Sequence, residues 1–175
     1  PASCWRTGRA APPGAAPDPI RHSGMSASPL VLIGAAGWQH PAWRGRFYPD
    51  DMPDDWRLSY YNSHFSAVYL PAAVWQAASG ATWAQWLYDT REGFCFVLES
   101  GEAGSNPPVS ERIVLATPAW EVGHVWWLDE APDLRVLAQR ISRQASTGEP
   151  LFVFSRSGNL GLMERASTLV QVMGY

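Results

Sequence analysis

The strongest constraint on the fold is an alternation along the chain. Short apolar runs of strand length, bounded by Gly or Pro, take turns with segments whose apolar residues recur at helical spacing. "LVLIG" (30–34), "SAVYL" (66–70, stopped by Pro71), "FCFVL" (94–98) and "LFVF" (151–154) are the runs. Near-continuous apolar strands of this kind are buried on both faces, as in parallel sheets. Between them, Asp54 or Asp55 can cap a helix reaching about His64, with Trp56, Tyr60 and Phe65 near one face. Thr82 can cap another, with Trp83, Trp86 and Leu87 at i, i+3 and i+4 and Gly93 as its end. Leu134, Leu137, Ala138, Ile141 and Ala145 form a stripe ended by Gly148, and Leu162, Ala166, Leu169, Val170 and Met173 form another ended by Gly174. Two further apolar runs, "RIVLA" and "VGHVWWL", stand between the third strand and the long helix, and 101–110 is loop. Strands alternating with helices imply an α/β fold of mostly parallel strands with outer helices.

Residues 1–28 break the pattern. They are rich in Pro, Ala, Gly and Arg and carry a net charge of +2, against −5 for the remainder. Such a segment buries too little apolar surface to offset its ordering entropy, so it is expected to be a disordered N-terminal extension. Met25 opens "MSASPLVLIG", so 1–24 reads as translated upstream sequence, and 29–175 as a single domain.

Composition narrows the chemistry. All 13 basic residues are Arg, which removes Schiff-base, P-loop and general-base lysine chemistry; the absence of Lys also suits a GC-rich coding sequence. The net charge of −3 argues against nucleic acid and anionic membranes as partners. No apolar run approaches the ~18 residues that span a bilayer, and no secretory signal is evident, so a cytoplasmic location is expected. Cys4 and Cys95 are the two cysteines; pairing between them is not expected, and two cysteines alone make no zinc site.

The stretch "GAAGWQHPAWRGRFYPDD" (34–51) carries the most specific signal. Gly34, Gly37, Trp38, Pro41, Trp43, Gly45, Phe47, Tyr48 and Pro49 resemble the opening signature of the bacterial domain of unknown function seventy-two, or YecE-like, family. "WRLSYYNSHFSAV" (56–68) resembles that family's next helix and strand. "LDEAPDLRVLAQRI" and the C-terminal "PLFVFSRSGNLGLMERASTLVQVM" resemble its last elements. The resemblance implies a TIM-barrel variant without a settled activity. An eight-stranded barrel takes ~250 residues. About 150 remain from Met25, enough at ~30 residues per βα unit for about five units. The expectation is therefore an incomplete or shortened TIM-barrel-like layer, with the missing part internal and strand edges uncovered.

The departures bear on function. The family's second strand reads Val-Glu-Ile-Asn; here it is Val68, Tyr69, Leu70, Pro71. The family's Lys near the third strand's end is absent from "VLES", Ala36 and His40 replace its Ser and Tyr, and Ser155-Arg156 replaces its Asn-Asn. Polar groups are lost while packing residues are kept, which implies a catalytically degenerate scaffold rather than an enzyme. No cofactor or metal is expected. A ligand surface could use Trp38, His40, Trp43 and Arg44, although the two Trp serve equally well as core, the Arg as a solvated loop charge and His40 as a structural histidine. If the chain is instead a small-molecule hydrolase or isomerase, His40, Glu99 and His124 are its candidate catalytic groups; their types also suit a metal, but no spacing motif supports one. Protein partners or self-association could use the uncovered edges.

Overall fold

A computed structural model of the chain describes residues 29–102, 104 and 106–175. The expected N-terminal extension, including Cys4, lies outside the described residues. Six strands form one sheet: β1 (Val31–Ala36), β2 (Ala67–Leu70), β3 (Cys95–Glu99), β4 (Ile113–Ala116), β5 (Val125–Trp127) and β6 (Leu151–Ser155). Their order is β4-β3-β2-β1-β6-β5, and every pair is parallel. The chain winds from β1 outward to β4, crosses to β5 at the opposite edge, and returns through β6 to the side of β1. That is the circuit of a parallel barrel with the span between β4 and β5 left open: a curled half-barrel, incomplete and TIM-barrel-like. Six strands form where length alone suggested about five, because β5 needs only three residues.

Successive strand residues point to opposite faces, and both faces are buried. On the outer face Ile33, Ala35, Val68, Leu70, Phe96, Leu98, Leu151 and Val153 pack against five helices. These are α1 (Arg57–His64), α2 (Ala72–Ala77), α3 (Gly80–Tyr88), α5 (Leu134–Thr147) and α6 (Leu160–Met173). Their contributions include Leu58, Tyr61, Trp75, Trp83, Leu137, Ile141 and Met163. On the inner face Leu32, Ala67, Tyr69, Cys95, Val97, Ala116, Phe152 and Phe154 form a second cluster. Among the described residues, one helix packs there, α4 (Pro118–His124), through Trp120. The run "VGHVWWL" is thus divided, its first three residues closing α4 and the next three forming β5. Thr117 decides this: its side chain accepts from the Trp120 N–H, and Pro118 takes the first helical position. Cys95 is buried and is not a free thiol, so the expectation that it stands unpaired is not met.

Candidate functional site

The aromatic loop after β1 folds into the core. Trp38, Trp43 and Tyr48 are 6%, 1% and 2% exposed. The Tyr48 hydroxyl donates to the Trp38 carbonyl at 2.6 Å, pinning the loop on itself. The Trp43 ring lies parallel to Tyr61 of α1 at 5.9 Å, and its indole N–H donates to the Gly158 carbonyl at 2.7 Å. The loop is thereby tied to the turn between β6 and α6, which closes the central strands at their C-terminal ends. Trp38 meets the edge of Trp86 on α3 at 5.1 Å.

His40 sits in the same corner. Its ring is 4.4 Å from that of Trp43, and it rests against Gly158, where a Cβ would lie 2.8 Å from the imidazole. Burial lowers its pKa, outweighing the opposing hydrogen bonds to the Ala36 and Gly37 backbone and the field of Asp129. Its Nε2 is buried and unpartnered. Arg44 is exposed, with Nε 3.4 Å from the Asp50 carbonyl. Glu99, at the end of β3, accepts from the Ala72 N–H at 2.8 Å, and its carbonyl accepts from the Trp75 indole, so it holds the start of α2. His124 closes α4, directly before β5 begins. It stacks on Trp120 at 4.6 Å and lies 3.4 Å from Glu149, which precedes β6. His124 therefore belongs to the N-terminal ends of the strands, whereas His40 follows the C-terminal end of β1 and Glu99 is the last residue of β3. The structure does not bring the three together, and no metal-holding group of three His, Cys, Asp or Glu exists among the described residues.

A different polar set does gather at the C-terminal ends. Tyr69, on the inner face of β2, donates its hydroxyl to Glu121 Oε1 at 2.6 Å. Burial, and then this bond to a carboxylate, raises the Tyr69 pKa far above the ordinary phenol value. The Tyr69 ring meets Trp127 edge-on at 4.9 Å. The Arg156 guanidinium lies over the Trp127 ring, 3.7 Å from its centroid, and Arg156 Nε bonds Glu130 at 3.1 Å. Asp129 follows β5 and accepts from the Ser155 and Ser157 hydroxyls and from the N–H groups of Arg156 and Ser157. Partial burial alone would raise its pKa; these hydrogen bonds outweigh burial and lower it.

Sequence reasoning missed most of this set. Tyr69 was visible only as the residue replacing a family glutamate. In the structure a carboxylate meets the Tyr69 hydroxyl, supplied by Glu121 from α4. Nothing local in the sequence marks that exchange, because Tyr69 and Glu121 are 52 residues apart. The turn "SRSGN" after the aromatic β6 was the one usable signal, since its hydroxyls and amides suit a carboxylate.

The family model described as "Protein of unknown function DUF72" matches residues 32–103, from β1 past the end of β3. No curated protein and no solved structure matches the chain.

Proposed function

We propose that the chain is a shortened member of the DUF72 family that keeps the scaffold and a ligand surface at the C-terminal strand ends while lacking catalysis. The observation that carries this is the Tyr69–Glu121 bond. The inner hydroxyl and the nearest carboxylate are engaged with one another, and burial holds the phenol proton firmly. Asp129 and Arg156 are likewise committed, to the β6–α6 turn and to Glu130 and Trp127. Groups so paired can orient a ligand but offer no free base or nucleophile. Of the loop residues, Arg44 is exposed and His40 half-buried; Trp38 and Trp43 support them from the core. An active hydrolase or isomerase using His40, Glu99 and His124 would need groups drawn from both ends of the sheet.

The test is a melting screen with sugars, sugar phosphates and divalent metals. A ligand at a hundred times its dissociation constant adds ~2.7 kcal/mol of stability. The shift should vanish in Arg156→Ala while the melting point without ligand changes little. Absence of any shift, or a shift that survives the substitution, rejects the assignment.

Self-association at the open edges is the second part of the proposal. Among the described residues β4 and β5 each pair on one side, and Val109, Leu115 and Val122 expose apolar surface on β4, its approach and the helix that follows.

A further inference from the structure

The outer surface carries a groove that the strand-end site does not use. Two adjoining cavities, of about 400 and 730 Å3, run between the loop after β1, α1 and α3 and share Asp55, Gln85 and Asp89 as lining. The walls are aromatic. Trp38 and Trp86 line the first cavity, Trp56 and Tyr60 the second. Trp56 is 65% exposed. The base is rigid: Trp86 meets both Trp38 and Trp83 edge-on at 5.1 and 5.0 Å, and Leu58 is buried beneath.

The groove's charge is one-sided. Asp54, Asp55 and Asp89 line it. Arg57 is bonded to Asp54 at 2.8 Å, Gln85 donates to one oxygen of Asp89 at 2.7 Å, and Asp55 makes no ion pair among the described residues. Flat aromatic faces flanked by carboxylates suit one side chain above others. A guanidinium stacks on indole or phenol and presents its N–H fork to carboxylates at its rim, whereas an ammonium satisfies only the charge. Two adjoining, open cavities suit an extended chain rather than an enclosed small molecule.

We propose that this groove docks an arginine-bearing peptide segment of a partner protein, with the guanidinium stacked on Trp56 and paired to Asp55 and Asp89. The pre-packed aromatic wall requires little ordering on binding. Because the recognition is charge-assisted at an exposed site, affinity falls with added salt.

The probe is a synthetic Gly-Arg hexapeptide repeat, titrated into the full chain by calorimetry and tryptophan fluorescence. Saturable binding is expected, weakened at least tenfold in Asp55→Asn/Asp89→Asn and in Trp56→Ala, with melting points little changed because Asp55 and Trp56 are exposed and the amide at 89 keeps an oxygen for Gln85. The same peptide with citrulline, which keeps shape and loses charge, should not bind; a lysine version should bind more weakly than the arginine one. No saturable signal up to millimolar peptide overturns the proposal. So does equal binding of the citrulline peptide or undiminished binding by either variant. Free arginine binding as tightly as the peptide would show a small-cation site and also overturn it.

Discussion

Tyr61 shows how one hydroxyl can complete a sheet. It accepts from the Ala35 N–H and donates to the Ala67 carbonyl, both at 2.8 Å, bridging β1 and β2 where their own ladder is interrupted. Gly34 makes room for it: a Cβ there would lie 2.7 Å from the hydroxyl and 1.8 Å from the Ala67 carbonyl oxygen. Tyr61→Phe leaves two buried backbone groups unpaired and should cost about 1–3 kcal/mol, read as a lower urea midpoint at unchanged slope. Gly34→Ala should cost more, because the obstacle is backbone. The sequence showed Gly34 as a motif residue and Tyr61 as part of an aromatic helix. It could not show their joint role, since residue patterning encodes which face is apolar and not where a ladder opens. Asp129 permits a pH prediction. Its folded pKa lies below the ordinary 3.8, so its stabilising hydrogen bonds are fully present above that pH and are lost as pH falls through the folded value. Melting points measured from pH 6 downward should drop more steeply below 3.8 for the wild type than for Asp129→Asn.

At the level of elements, legibility follows periodicity. α5 was evident because Leu137 and Ile141 fall on one stripe and Gly148 ends it. The strands were evident because both faces are apolar. Helix starts were less so. Asp54 and Asp55 form a 3-10 turn and α1 begins only at Arg57; α3 is capped by Ser79, which accepts from the Thr82 N–H, so Thr82 lies inside the helix it was expected to cap. α2 escaped notice as a six-residue helix after Pro71, and α4 because seven residues lying across a concave face leave no polar stripe. The hold on α4 is therefore specific: Trp120 against Phe152 at 5.7 Å, the Thr117 cap, and the Tyr69–Glu121 bond. Tyr69→Phe removes that bond and should cost about 1 kcal/mol. Thr117→Ala should cost about 0.5–2 kcal/mol. In both, hydrogen exchange should quicken across residues 118–127 while β1 to β3 keep their protection.

At the scale of the molecule, the alternation of elements was enough to give a parallel α/β layer, and chain length was enough to show that the barrel could not close. Neither could say what would occupy the opening, because that depends on a connection crossing from β4 to β5. α4 fills the inner side of the gap but pairs with neither edge, so among the described residues the outer sides of both strands have no strand partner. Four residues in β4 and three in β5 offer only a short ladder. Exposed Leu115 and Val122 add apolar surface beside it. A second copy related by a twofold axis would meet the β4 edge antiparallel to itself, giving a closed and self-limiting contact. Such short edges imply weak, concentration-dependent association rather than an obligate dimer. Sedimentation velocity should show the mean mass rising from monomer toward dimer with concentration. Leu115→Lys, a charge on the exposed face of the edge strand, should hold the chain monomeric without lowering its melting point. A monomer at every concentration, or an unchanged dimer in the variant, would show that α4 and the short strands already protect the opening.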